Sequence, residues 1–341
     1  MVDLVTGGGG FIGRHIVDIL VENGRPVRVL DIDPQSSRKC GVEIVAGSIT
    51  DPATVAAAMR GVRRVFHVAG NPHLWTRRKD DLVRVNHGGT KTVLAEAARQ
   101  RVERFVLTST AAILFRKPRS DGAGEAPTLA DMPGRYCRSK FLAEQEALAA
   151  ARAGMPVVIV NPTLPIGPGD RHLTPPTRMI RDFVNGDTPA FIDFELNMIH
   201  VHDVALGHVR AAEVGEPGQR YLLGGANRRL SDILSLIEEI TGVAMPRRQV
   251  PYGLALAAAA VGEFIAGHVT GKSPKASLAG VRLTRRPPCV ALARPLAELG
   301  LIPRPVEQAL TEAILWLVEN GRVRRRLPKL AAPAVPPPPT P

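Results

Sequence analysis

An α/β fold built on a doubly wound parallel sheet, with a smaller lobe interleaved into its second half, is what this 341-residue sequence predicts. Three observations carry the prediction. Apolar runs of strand length alternate with helix-period segments through the first half of the chain. The chain opens on a strand, a glycine turn and a helix. After residue 161 the texture changes to Pro- and Gly-rich connections with short strands and helices between them.

The opening run is Val2, Leu4 and Val5, and the glycines from Gly7 to Gly10 force a turn. From Phe11 onward Ile12, Ile16, Ile19 and Leu20 recur at helical spacing. Gly7, Gly10 and Gly13 have the spacing G-x-x-G-x-x-G between a strand and a helix. There the absence of side chains leaves room for a pyrophosphate, and the helix N-terminus offers free N–H groups and a positive dipole end. A dinucleotide site is therefore expected, with Phe11 and Ile12 in the helix's first turn beside it. Further strands are expected at 27–30, 42–45, 65–68, 105–107 and 157–160, with helices near 11–23, 52–60, 80–100 and 136–152. Asp51 caps a helix that has Pro52 in its first turn, and Gly154 and Pro156 stop the last of these helices.

The expected organisation is a dinucleotide-binding domain over 1–162 with a returning segment near 198–222. Residues 163–197 and 223–326 would form the substrate lobe, and 327–341, ending Pro-Pro-Pro-Pro-Thr-Pro, a disordered tail. Residues 253–266 are Ala-rich and apolar but contain Gly262 and Glu263, and are too short to span a bilayer. A buried helix is expected there, the alternative being a surface that meets lipid or an apolar substrate.

Cys40, Cys137 and Cys289 are too scattered for a zinc site or a disulfide framework, so no metal is expected. No signal-peptide pattern opens the chain, and a reducing, cytoplasmic setting follows as an expectation. Of the net charge of +12, nine units fall in 245–330, where 14 Lys and Arg face 5 Glu. The sequence contains no nucleic-acid reading module, and 4% aromatic residues leave little for base stacking. The basic stretch fits an anionic small substrate or an anionic membrane surface, or it is simply a solvated face.

Ligands of such sheets bind beyond the strand C-termini, so the residues there carry the chemistry. Asp31 ends the second strand, where a carboxylate accepts from the adenosine ribose hydroxyls and repels a 2′-phosphate, favouring NAD over NADP; Arg38 nearby keeps NADP open. Ser48 and Ile49 follow the third strand, at the adenine edge or in a plain turn. His67 reads as structural, while Val68, Ala69 and Gly70 let backbone approach the cofactor. Asn86 could brace this edge. Thr108, Ser109 and Thr110 place hydroxyls at the end of the fifth strand. Tyr136 and Lys140, at i and i+4, share a helix face. A lysine cation lowers the tyrosine pKa, so Tyr136 could move a proton while hydride passes to or from a nicotinamide.

Together the glycine motif at 6–13, Asp31, Asn86, Thr108–Thr110 and Tyr136-x-x-x-Lys140 resemble the extended short-chain dehydrogenase/reductases, with their Rossmann-type sheet, over residues 1 to about 320. The stretches 136–146, 158–168, 197–205 and 221–225 are most similar to the hopanoid-associated sugar epimerases and their dihydroflavonol-reductase-like relatives. The resemblance implies that Tyr136 is the general acid/base and that Lys140 holds the nicotinamide ribose. It implies that Thr110, with Ser109 beside it, meets the reacting oxygen, and that Asn161, Pro162 and Thr163 line the nicotinamide side. His200 and Asp203 match the motif returning the chain to the sheet. Arg282, Arg285 and Arg286 lie where relatives contact a nucleotide-sugar diphosphate. His73, Trp75, Asn161 and His200 are the remaining candidate substrate contacts.

The sequence departs from this pattern twice. Asp31-Ile32-Asp33 stands where reductase-like relatives often have an NADP-binding Arg, and Glu195-Leu196-Asn197 replaces the Arg that nucleotide-sugar epimerases usually carry before Ile-His-Val. The first reading is thus an NAD-dependent epimerase or dehydratase acting on a hydroxyl or keto carbon of a sugar-like substrate. The second is an NAD(P)-dependent reductase or dehydrogenase of an apolar terpenoid, steroid-like or flavonoid-like ketone or alcohol. A cofactor-sensing binding protein is a distant third, since the acid/base pair is intact. The partners expected are a small-molecule substrate and, by resemblance, a second copy in a homodimer. A peripheral contact with membrane or a lipid-like substrate is an open alternative, and nucleic acid is not expected.

Overall fold

The apolar run at the start of the chain forms β1 (Val2–Thr6), the centre of a seven-stranded parallel sheet. Around it lie β2 (Val27–Asp31), β3 (Val42–Ala46), β4 (Val62–His67), β5 (Arg104–Thr108) and β6 (Val157–Pro162). Residues 1–33, 41–114, 126–286 and 293–330 are described by this computed structural model. Arg38, Cys40, Cys289 and the proline-rich end after Leu330 lie outside them. Three short strands follow, β7 (Leu164–Ile166), β8 (Ala190–Phe191) and β9 (Glu195–His200), before β10 (Arg220–Leu223) joins the main sheet; β11 (Asn227–Arg229) and β12 (Arg248–Gln249) complete the set.

The strand order is β10-β6-β5-β4-β1-β2-β3. Leu4 sits between Arg28 of β2 and Val65 of β4, both parallel to β1; the chain moves outward from β1 through β2 and β3 on one side and returns to β4 on the other, creating a switch point. Every residue of β6 is buried, as expected of a parallel strand covered on both faces.

The glycine turn leads into α1 (Phe11–Glu22), and α2 (Pro52–Met59) is capped by Asp51, whose carboxylate accepts from Ala53 and Thr54 N–H groups. The helix expected over 80–100 is not uniform: a wide π-helical turn, Val83–Gly88, precedes α3 (Gly89–Arg99). That turn brings Asn86 inward until it is 2% exposed, with Thr90 Oγ1 donating to the Asn86 carbonyl at 2.6 Å. The helix carrying Tyr136 and Lys140 is α4 (Arg135–Arg152).

Beyond the sheet follow α5 (Pro175–Val184), α6 (Val201–Val214), α7 (Leu230–Thr241), α8 (Tyr252–Ile265), α9 (Leu278–Leu283), α10 (Ala293–Glu298) and α11 (Val306–Glu319). One side of the sheet packs Val5, Phe66 and Val160 against α1 and α6, and the other packs Leu4, Phe105 and Ile159 against α2, α3 and α4. A third core is built by α5, α7 and α11 around β9.

Two expectations are corrected here. Leu327 is buried in that third core, 5% exposed, so the ordered chain runs past the expected tail boundary: its side chain fills apolar space beside α7 and α11. The apolar helix over 253–266 is not buried. Leu254, Val261 and Phe264 of α8 are 65%, 60% and 63% exposed, because among the described residues only one side of the helix has a neighbour to pack on.

Candidate active site

The glycine loop is shaped by close backbone approach. A Cβ on Gly13 would lie 2.1 Å from the Gly7 carbonyl oxygen, and one on Gly7, at φ +70°, would lie 2.8 Å from Ala69 Cα. Gly10 is the N-cap of α1 and makes no side-chain hydrogen bond, so the cap itself leaves the helix's first N–H groups without a side-chain acceptor. The Gly9 N–H donates to Asp31 Oδ2 at 2.9 Å, which ties the end of β2 to the loop. Val68 and Ala69 are drawn onto the same loop by N–H bonds to the Thr6 carbonyl and hydroxyl oxygens. These features fit a dinucleotide: a dipole end for its phosphates, a carboxylate beyond β2 for a ribose, and a floor that no Cβ can enter.

Ser48 closes a small turn with Thr50, their hydroxyls 2.8 Å apart, and Ile49 packs into the core beneath Gly89. Phe11 is buried and meets His15 edge-on, while Ile12 is half-buried on α1.

Two relays of buried polar groups hold the far side of the site. In the first, the Ala69 N–H donates to Thr6 Oγ1, which lies 2.8 Å from His67 Nδ1, and His67 Nε2 lies 3.0 Å from Thr90 Oγ1. Because Thr90 donates onward to the Asn86 carbonyl, it accepts from Nε2–H, and Thr6 donates to Nδ1. Asn86 accepts from Asn71 N–H and donates to the Asn71 carbonyl and to Ser139 Oγ at 2.9 Å. Ser139 in turn donates to the Tyr136 carbonyl at 2.7 Å. Asn86 thus ties the loop after β4 to the helix turn that bears Tyr136.

The second relay runs from Lys140. Its Nζ donates to the Thr108 carbonyl at 2.5 Å, Thr108 Oγ1 donates to His208 Nε2 at 2.8 Å, and His208 Nδ1–H reaches the Val204 carbonyl at 2.7 Å. Burial pushes the imidazoles down, His67 to about 3 and His208 to about 4. Both stay neutral where an exposed imidazole would begin to charge near ~6.5. The unfolded chain therefore binds more protons, so stability is complete above pH ~6.5 and falls as pH drops toward about 4. The slope approaches ~1.4 kcal/mol per pH unit for each histidine. Urea midpoints measured across this range should fall with acid, and His208→Gln should make the dependence shallower.

Tyr136 is half-buried in an apolar cluster with Ile113, Met132, Cys137, Phe141 and, from α9, Leu283. Burial raises its pKa well above that of a free phenol, the neighbouring Cys137 adds to the rise, and a hydrogen bond with Thr110 opposes it. Burial also lowers Lys140 to about 8, which Glu144 partly offsets. In this structure the Lys140 ammonium points to the Thr108 carbonyl, and burial of the phenol is the largest influence on Tyr136.

Asn161 is fully buried, its Nδ2 donating to the Thr110 carbonyl at 3.2 Å and to Glu144 Oε2 at 2.8 Å. Pro162 ends β6 beside it. The hydroxyls of Ser109 and Thr163, and Asn161 Oδ1, are buried at the ends of β5 and β6 with no hydrogen-bond partner among the described residues. Polar atoms so placed suit the amide and ribose of a nicotinamide.

The sequence reading missed Glu144. It is 1% exposed, four residues on from Lys140, and pairs with Arg220 of β10 at 2.6 Å. Its i+4 position was the available signal, but a helical glutamate ordinarily faces water. Arg220→Ala would leave the carboxylate to Asn161 alone and should cost about 2 kcal/mol by urea unfolding. That is less than a wholly buried pair, because the Arg220 side chain is 40% exposed.

The candidate substrate contacts divide. His73, on the loop after β4, faces Arg178, Asp170 and His172, and burial lowers its pKa. Half-buried Trp75 follows Leu74, whose Cδ1 would lie 3.4 Å from a Cβ on Gly280 of α9. His200 lies elsewhere: it caps α6 through the His202 N–H and bonds Glu312 of α11 at 2.9 Å. Arg282 donates to the Pro133 carbonyl, Arg286 to the Asp131 carbonyl at 2.6 Å, and Arg285 stacks 3.7 Å over the Tyr252 ring. These arginines fasten α9 to the start of α4 and to α8.

Comparison with known proteins places this arrangement. Residues 4–224 match the model of the NAD dependent epimerase/dehydratase family. A dihydroflavonol 4-reductase-like protein of Synechocystis sp. is 36% identical over 94% of this chain and 95% of its own length. Sterol demethylase protein B of Methylococcus capsulatus is 29% identical, covering 95% of this chain and 100% of its own. The crystal structure of gox2253 superposes with a TM-score of 0.81 at 34% identity, over 95% of this chain and 99% of that one.

Proposed function

We propose, since the chain belongs to the NAD dependent epimerase/dehydratase family, that it is an NAD-linked reductase or dehydrogenase. Its substrate would be a ketone or secondary alcohol on an apolar, ring-containing molecule. The observation that carries this reading is the apolar cluster around Tyr136, closed by Leu283 of α9. A sugar diphosphate needs cations at the site. Buried Leu196 and Asn197 occupy β9 ahead of Ile199, while Arg282 and Arg286 are engaged with protein carbonyls. The names of the two relatives refer to a dihydroflavonol and a sterol, which supports the same class. The epimerase reading, set first from sequence, becomes the alternative.

The cofactor would rest its phosphates on the α1 N-terminus, its adenosine ribose on Asp31 and its nicotinamide side against Ser109, Asn161 and Thr163. Bound NAD(H) supplies the hydride acceptor or donor. The chain's own work is to deliver or remove the proton at the reacting oxygen through Tyr136, with Thr110 orienting the phenol. Lys140 supplies a positive charge on the same helix face, and the apolar cluster excludes water.

A screen of cyclic ketones with NADH tests the reading. Turnover on an apolar ketone with no activity on UDP-sugars supports it; the reverse result favours the epimerase. Asp31 makes a further prediction, since its carboxylate repels a 2′-phosphate. NAD should bind at least tenfold more tightly than NADP in a fluorescence titration, and Asp31→Ala should shrink that ratio toward unity.

A further inference from the structure

We propose that α8 and the π-helical turn that continues it to Thr270 lie in the surface of an anionic lipid bilayer. The nineteen residues Tyr252–Thr270 form one apolar helical segment, of which little is buried. Its exposed side chains follow helical spacing. Leu254, Val261, Phe264, Ile265 and Val269 are 65%, 60%, 63%, 43% and 74% exposed, with Ala257 and Ala258 filling the stripe between them. An ordinary surface helix turns polar side chains outward; here the outward stripe is the apolar one.

The inward side is small and tethered. Ala259 and Ala266 are buried, and Glu263 accepts the Leu278 N–H of α9 at 2.7 Å. With one flank held by protein, the segment can be immersed along its length but not surrounded by lipid. It therefore lies in the plane of the interface and does not cross it.

Charge identifies the occupant. From Gly242 to Ala297 the sequence has eight Lys and Arg and one Glu, and of the eight Arg247 and Arg294 pair with Glu238 and Glu298 just outside that span. Exposed Arg248 precedes the helix, exposed Lys272 and Lys275 follow it, and Arg77 approaches Gly271 at its C-terminal end. An apolar stripe between cations matches acyl chains beneath anionic headgroups. A second copy of the same patch would set these cations against their like. Because α8 packs on α9, and α9 on the Tyr136 cluster, docking here sets the site close to the bilayer. The proposal does not depend on which reaction the site performs.

Flotation of the full-length protein with vesicles provides the test. Vesicles of phosphatidylcholine containing phosphatidylglycerol should carry at least tenfold more protein than phosphatidylcholine alone. Binding should fall at least tenfold in V261D/F264D and in K272E/K275E, with circular dichroism and NADH binding unchanged. Equal flotation of the parent and both variants, or none with either vesicle, would overturn the proposal. So would a concentration-dependent dimer in light scattering that V261D/F264D abolishes while vesicle binding is absent, since the stripe would then be a self-association face. Turnover of a water-soluble ketone without vesicles is scored separately, so failure of docking and failure of the reductase reading give different results.

Discussion

Tyr136→Phe should lower kcat for ketone reduction by roughly 10²–10⁴-fold, the range typical of a positioned proton donor, while NADH binding stays within about twofold. The substitution removes one oxygen from a ring packed among Ile113, Met132 and Leu283, so fold and stability should be nearly unchanged. In reduction the substrate oxygen needs a proton, and burial, by raising the pKa of the phenol, favours the protonated form that can supply it. The phenolate left behind needs a nearby positive charge. Lys140, held down to about 8, ceases to supply one as pH rises through that value. Reduction should therefore fall off above about pH 8, and Lys140→Met should lose both the rate and that limb of the profile. A Tyr136→Phe enzyme with parental turnover would remove the residue from the mechanism.

Gly13→Ala should abolish measurable cofactor binding and destabilise the fold by about 3 kcal/mol or more, the upper range for overpacking a rigid site. The new methyl would stand 2.1 Å from the Gly7 carbonyl oxygen and 2.8 Å from its carbon, and neither can move without opening the loop. Gly253→Ala is the matched control. It lies in α8 with nothing within 4 Å of the added carbon, and should gain about 0.5–1 kcal/mol from helix propensity. Nucleotide titration and urea unfolding of the two variants separate a steric effect from a general intolerance of alanine.

Much of this site was legible in the sequence because its parts are local. Strand, glycines and the start of the helix occupy the first thirteen residues, and Tyr136 and Lys140 are one helical turn apart, so short-range rules place them. The supports were not legible, because they are joined across the sheet. Thr108 meets His208 one hundred residues away, and Glu144 meets Arg220 across 76. Nothing in a helical glutamate or histidine announces a buried partner on another element. The exposure of α8 was hidden for a different reason: apolar composition shows that a helix avoids water, not what covers it. The Tyr136–Lys140 spacing was read correctly as a shared face, yet spacing could not reveal that Lys140 points to the Thr108 carbonyl.

The most direct measurement follows a deuteride. NADH deuterated on its transferable position would be incubated with the enzyme and an apolar cyclic ketone, and the product examined by mass spectrometry and NMR. Deuterium on the new carbinol carbon, with an equal amount of NAD released to solution, is the predicted result. Unlabelled ketone recovered intact, together with inversion of a sugar centre by enzyme that retains its NAD throughout, would contradict the account.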